Sequence, residues 1–144
     1  MYSGILALHN TLRWLLLLSM AITLFKYLAG WLGKQPWKKI DNVLGIVFTS
    51  LMDLQLLIGL ALYFFLSPVT KMAMADFGAA MKDDSLRFYA VEHISMMLVA
   101  VALVHIGRAK SKKSKTDVDK FRIASIFYLA ALVLILAGIP WGRS

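Results

Sequence analysis

Four long apolar runs dominate this chain and constrain its fold more than any other feature. A helix rises about 1.5 Å per residue, so it needs about 20 mostly apolar residues to cross a hydrocarbon core of roughly 30 Å. Hydrophobic residues make up 60% of the 144 residues, and little sequence lies between the runs. The sequence therefore predicts an all-α integral membrane protein, a single four-helix bundle. Its predicted helices cover about residues 3–32, 43–66, 87–106 and 123–141.

Basic residues are concentrated in two of the three predicted connections. The first connection contains Lys34, Lys38 and Lys39, and residues 107–122 form a third connection with seven more, so together they hold ten of the 16 Lys and Arg residues. Loops rich in Lys and Arg remain in the cytoplasm. The sequence thus predicts an up-down bundle with the first and third loops cytoplasmic and both termini on the non-cytoplasmic side. The net charge of +8 has the same origin, so we expect membrane lipid and not nucleic acid as a partner.

The second predicted connection has its own apolar pattern. Met72, Met74, Phe77 and Met81 recur at roughly helical spacing. This spacing predicts a short helix in the outer membrane interface.

Ionisable side chains interrupt the apolar runs. Such residues are costly at bilayer depth, so they usually face the bundle interior and have a partner or a function. We expect Asp53 and Glu92 to handle protons, with a quinone near Asp53, Gln55 or Glu92. Lys26 can reach the interface by snorkelling and needs no functional explanation. The remaining candidates are His9, Arg13, His93 and His105.

The spacing of the three histidines favours one pair as metal ligands. His93 and His105 are 12 residues apart, or about 18 Å along a helix, so they cannot hold one metal together. His9 and His93 each lie a few residues inside the same predicted end of the bundle. Two facing imidazoles can bind haem iron as axial ligands, and bundle cores often house such sites. We therefore predict a b-type haem held by His9 and His93.

Arg13 and His105 leave alternatives open. Arg13 would neutralise a haem propionate, or form a structural ion pair with Asp53 or Glu92. His105 would bind a second haem only if another residue supplied the other axial bond. Otherwise His105 is a proton carrier, or a histidine tolerated at the interface for its amphipathic ring.

Methionines beside His93 suggest a second metal. Met96 and Met97 are expected to pack the core, because Met fills irregular gaps. Together with His93 and the methionines of the second connection, they also suggest an alternative function, the handling of copper. Thioether and imidazole ligands suit Cu(I).

Four segments resemble small bacterial four-helix membrane proteins described as cytochrome b-like: LALHNTLRWLLLL, DLQLLIGLALYFF, VEHISMMLVAVALVHIGRAK and LILAGIPW. This resemblance implies a place in the bacterial inner membrane. The chain is also similar to the HemJ type of protoporphyrinogen oxidase and to the copper-resistance CopD membrane domain. The HemJ likeness implies a haem-binding role for His9, and the third-helix pattern of that family fits His93, His105, Gly107 and Arg108.

Three functions are compatible with these features. The first is electron transfer by a b-type haem, linked to quinol. The second is a haem-dependent protoporphyrinogen oxidase, although the HemJ pattern has a functional lysine where this chain has Ser95. The third is a cofactor-free accessory subunit of a larger membrane complex, or a copper-handling protein. If the chain is an enzyme, the first two predict an oxidoreductase.

Overall fold

The computed structural model describes residues 1–141, and the regular secondary structure of this part is helical. Four of its helices are long and apolar enough to cross a membrane: Tyr2–Leu32, Lys39–Leu66, Asp84–Lys113 and Asp117–Gly138. This confirms the prediction of an all-α chain with four potential membrane spans.

Seven α-helices and two π-helical turns follow one another along the described residues. The turn Leu62–Leu66 extends the second helix, and the turn Phe88–Glu92 joins the fifth helix to the sixth. A π-turn inserts extra backbone into a helix and is frequent at functional sites. The second π-turn ends directly before His93. In chain order the helices are α1 Tyr2–Leu32, α2 Lys39–Ala61, α3 Pro68–Ala75, α4 Phe77–Ala80, α5 Asp84–Arg87, α6 His93–Lys113 and α7 Asp117–Gly138.

The third connection is much shorter than predicted. The sequence predicts a connection over residues 107–122, but α6 continues to Lys113 and α7 begins at Asp117. Lysine is a good helix former, so the charges that end a membrane crossing do not end the helix. Thr116 caps the start of α7, since its hydroxyl accepts the N–H of Asp119 at 3.1 Å.

The second connection is helical, as its Met and Phe spacing predicts. Ser67 caps α3 by accepting the N–H of Thr70 at 3.4 Å, and Pro68 occupies the first helical position. Met72 and Met74 are 63% and 50% exposed. The helical character is therefore confirmed, but the predicted single helix is two short helices, α3 and α4, divided at Asp76. Their place in a membrane interface stays a prediction.

The long helices form a bundle in which each packs against two others. Helix α1 packs against α2 and α7, and α6 packs against α7. Helix α2 also packs against α6, but at fewer positions than the other neighbouring helices do. Helices α1 and α6 therefore lie diagonally across the bundle from each other.

Aromatic rings fill the bundle near the lysine-rich connections. Tyr27, Phe48, Phe121 and Tyr128 are at most 1% exposed. The ring of Tyr27 lies 5.9 Å from that of Tyr128 and 5.8 Å from that of Phe121, measured between centroids. Gly30 permits this packing, because a Cβ there would lie 2.6 Å from the ring of Phe121. The core is therefore tightest at the end remote from His93.

The outer surface of the bundle is apolar. Phe25, Leu57 and Phe65 are 78%, 65% and 71% exposed. Large apolar surfaces of this kind mark contact with another apolar phase or partner. The surface is thus consistent with contact between these helices and lipid.

Candidate functional site

The structure brings His9 and His93 together. Their ring centroids are 6.4 Å apart and their planes are inclined by 82°. His9 lies on α1 next to Gly59 of α2, whereas His93 opens α6 and contacts Gly138 of α7. The pair therefore lies where all four long helices meet.

The separation of the two rings suits one metal ion between them. A bond from a metal to an imidazole nitrogen is about 2.0–2.1 Å and the ring centroid lies about 1.1 Å behind that nitrogen, so opposed ligands have centroids about 6.3 Å apart. The observed separation of 6.4 Å agrees with this value. The centroid separation thus leaves room for one metal ion between the rings, and it is also the separation of an ordinary edge-to-face ring contact.

The tautomer of His93 is set by α7. Its Nδ1 lies 2.6 Å from the carbonyl oxygen of Gly138. A carbonyl can only accept a hydrogen bond, so Nδ1 carries the proton and donates it. In a neutral imidazole the lone pair is then on Nε2, and such a bond orients a metal-binding histidine and raises its basicity. His93 is therefore prepared to bind a metal through Nε2.

His9 is held by α2 through both its backbone and its ring. A Cβ on Gly59 would lie 3.4 Å from Cε1 of His9, and the side-chain amide of Gln55 donates to the carbonyl of His9 at 2.7 Å. The side chain of Gln55 also interacts with the ring of His9. Gln55 therefore fixes the position of this histidine, as expected of a residue that supports a metal ligand.

Arg13 follows His9 by one helical turn. Its Nε is buried without a hydrogen-bond partner, and its guanidinium carbon lies 5.0 Å from the centre of the Trp14 ring. No anionic side chain among residues 1–141 pairs with Arg13. Arg13 therefore offers a positive charge one helical turn from His9.

The two carboxylates predicted to handle protons have partners other than Arg13. Asp53 Oδ1 lies 2.6 Å from Nε2 of His105, and Glu92 Oε1 accepts from Nε of Arg87 at 3.0 Å. The alternative in which Arg13 forms a structural ion pair with Asp53 or Glu92 is therefore wrong for the described residues. The rotation of each helix about its axis decides these pairings, and the sequence does not reveal that rotation.

His105 lies apart from the other two histidines. It pairs with Asp53 on the surface between α2 and α6, with the two side chains 46% and 49% exposed. The expectation that ionisable residues face the bundle interior is thus wrong for this pair. Of the candidate residues, the structure joins His9 with His93 and Asp53 with His105.

Met96 and Met97 lie beside the carbonyl that holds His93. A Cβ on Gly138 would lie 3.3 Å from Sδ of Met96 and 2.7 Å from Cε of Met97. Helices α6 and α7 can approach closely here because residue 138 is glycine and has no side chain. Both methionines therefore pack the core, as predicted, next to the candidate site.

A buried ion pair at the other end of the bundle was missing from the sequence predictions. Nζ of Lys26 lies 2.8 Å from Oδ1 of Asp41, whose side chain is 0% exposed. Asp41 Oδ2 also accepts the N–H of Lys38 at 2.8 Å. The sequence contains one signal for this pair, because an acidic residue is favoured in the first turn of a helix. Asp41 holds that position, but only because α2 begins at Lys39, earlier than predicted. Lys26 therefore has a structural partner and does not simply snorkel.

Comparisons of the chain with family models, with curated proteins and with solved structures give no match. Function is therefore inferred from the chain's own residues and their geometry.

Proposed function

We propose that this protein is a b-type cytochrome-like membrane protein, in which His9 and His93 hold haem b and which transfers electrons. In this proposal the four helices cross a bacterial inner membrane up and down. The lysine-rich connections lie in the cytoplasm and both termini lie on the other side. The observation that carries the proposal is the separation of 6.4 Å between the two imidazole rings.

The residues around the pair suit haem in three ways. Haem iron is held by protein side chains such as histidine, and His9 and His93 would supply these ligands. The hydrogen bond from His93 to Gly138 leaves Nε2 for that purpose. Arg13, with its unpaired buried Nε, would neutralise a haem propionate. Bound haem would supply one-electron chemistry between its ferric and ferrous states.

The chain's own contribution is to orient the ligands. Gln55 fixes the backbone of His9 by donating to its carbonyl, and Gly138 fixes the ring of His93. Because these contacts come from α2 and α7, each ligand is held by a neighbouring helix. A site supported in this way keeps its ligand geometry when the metal changes charge.

A visible spectrum of the protein, purified from cells with an ample haem supply, tests the proposal. We expect a Soret band, together with sharp α and β bands after reduction. His9→Ala and His93→Ala should each abolish this six-coordinate spectrum. His105→Ala is the matched control, because His105 lies on the same helix as His93 but pairs with Asp53, and it should leave the spectrum intact. A protein without haem, or a His93→Ala protein with the wild-type spectrum, would contradict the proposal.

One observation favours copper as a second candidate. Met96 and Met97 place two thioethers next to Gly138, whose carbonyl binds His93. Thioether and imidazole ligands suit Cu(I). Metal analysis separates the two candidates: one iron per chain supports haem, whereas copper that is lost in a Met96→Leu, Met97→Leu double variant supports the alternative.

A further inference from the structure

The Asp53–His105 pair is a polar site on the surface that faces lipid in the proposed orientation. Asp53 lies near the middle of the span Lys39–Leu66. The two side chains are joined by a contact of 2.6 Å, yet they are 49% and 46% exposed. The pair formed by Asp119 and Arg122 has similar exposure, 44% and 42%, but it lies in the first turns of α7 beside a connection, where water is at hand.

Hydrocarbon cannot satisfy the remaining polar atoms of this pair. The contact uses Oδ1 of Asp53 and Nε2 of His105, while Oδ2 and Nδ1 form no hydrogen bond with residues 1–141. An unsatisfied polar group in the bilayer core costs several kcal/mol. A molecule that dissolves in the membrane and carries hydrogen-bonding oxygens would remove this cost.

Asp53 also determines which nitrogen of His105 is reactive. An ionised carboxylate only accepts hydrogen bonds, so Nε2 of His105 carries a proton and donates it. In the neutral ring the lone pair is on Nδ1, which can take a proton from a hydroxyl. The same carboxylate–imidazole arrangement makes histidine a general base in hydrolases.

The position of the pair gives a ligand access from the membrane. Asp53 and His105 bridge α2 and α6, the neighbouring long helices that contact each other least. A flat ring can approach the exposed pair from the lipid, while an apolar tail remains in the bilayer. Asp53 is six residues from Gly59, or about 9 Å along α2, and Gly59 contacts His9.

We propose that Asp53 and His105 bind the headgroup of a membrane-dissolved quinone or quinol, with Nδ1 of His105 as the base for one hydroxyl. His105 precedes Arg108 by only three residues, so the pair lies in the half of the bundle next to the lysine-rich connections, at a depth that a quinone ring reaches from within the bilayer. This inference rests on the proposed function in one respect: the haem held by His9 and His93 would accept the electrons of the quinol. Oxidation of one quinol would release two electrons and two protons. The ferric haems of two chains would accept one electron each, Nδ1 of His105 would take the first proton and Oδ2 of Asp53 the second.

Binding of a short-tailed benzoquinone to the purified protein in detergent micelles tests the inference, with calorimetry as the readout. We expect Asp53→Asn and His105→Phe to weaken binding by about 10-fold or more, since a hydrogen bond to a charged group contributes about 1.5–3 kcal/mol. Asp119→Asn is the matched control and should bind like the wild type. A hydrocarbon of similar ring size without oxygens should not compete.

Quinone binding does not require haem, so the two proposals can fail separately. If the spectrum shows no haem but quinone binds and both variants weaken it, the site stands and the cytochrome proposal fails. If haem is present but quinone does not bind, or binds equally to both variants, this inference is overturned. It is also overturned if the wild type is a dimer that Asp53→Asn dissociates, because a second copy then covers the pair. If Asp53→Asn fails to fold, His105→Phe tests the same site from α6.

Discussion

Gly138→Ala perturbs the contact that orients His93. Gly138 is the last residue of α7, and its carbonyl accepts the Nδ1–H of His93 at 2.6 Å. A Cβ at this position would lie 2.7 Å from Cε of Met97 and 3.2 Å from Cβ of Met96. The methyl group of Met97 can move aside, but the Cβ of Met96 is fixed to the backbone of α6. Helices α6 and α7 must therefore separate by a few tenths of an ångström.

The expected cost has two parts. Overpacking of this kind costs about 1–3 kcal/mol, and a weakened hydrogen bond between His93 and Gly138 adds about 0.5–1.5 kcal/mol. We expect the free energy of unfolding to fall by about 2 kcal/mol, because partial relaxation recovers some of this sum. Alanine has better helix propensity than glycine, but a residue at the helix end gains little from it. Haem affinity should fall by about 10- to 100-fold, as for other residues that orient a metal ligand.

Unfolding in detergent micelles, followed by circular dichroism, measures the first effect, and titration of the haem-free protein with haem measures the second. Gly4→Ala is the matched control, because nothing lies within 4 Å of a Cβ at that position. A Gly138→Ala protein as stable as Gly4→Ala, with unchanged haem affinity, would refute the role assigned to this glycine.

Two further substitutions test the packing remote from the histidines. Gly30→Ala should lower the free energy of unfolding by about 3 kcal/mol, since its Cβ would lie 2.6 Å from three atoms of the fully buried Phe121 ring; a melting curve like that of the wild type would contradict this. Asp41→Asn should lower the free energy of unfolding by about 2 kcal/mol. This is less than the loss expected on breaking a fully buried ion pair, because Lys26 is 31% exposed. Asp119→Asn, in an exposed pair, should change stability by less than about 0.5 kcal/mol; equal losses in the two aspartate variants would show that burial of Asp41 is unimportant.

The sequence predicts the spans well because bilayer thickness fixes how many apolar residues a crossing needs. It predicts their ends poorly. Residues 107–122 look like a loop because they are charged, yet lysines sustain α6 as far as Lys113 and only residues 114–116 separate it from α7. The bilayer limits where charges lie, and helix propensity and capping limit where helices end.

Depth along a helix can be counted from the sequence, whereas rotation about its axis cannot. The fixed rise per residue predicts that His9 and His93 share one level, and the structure places their rings 6.4 Å apart. The outward-facing pair of Asp53 and His105 depends on rotation instead. That rotation follows from packing at small residues such as Gly59, which no pattern in a single sequence identifies beforehand.

Ligation of one haem iron by His9 and His93 is tested most directly by the electron paramagnetic resonance spectrum of the ferric protein. Two imidazole ligands would give low-spin ferric iron. We expect a low-spin signal that is lost in both His9→Ala and His93→Ala. A high-spin signal, or a spectrum without haem, would contradict this ligation.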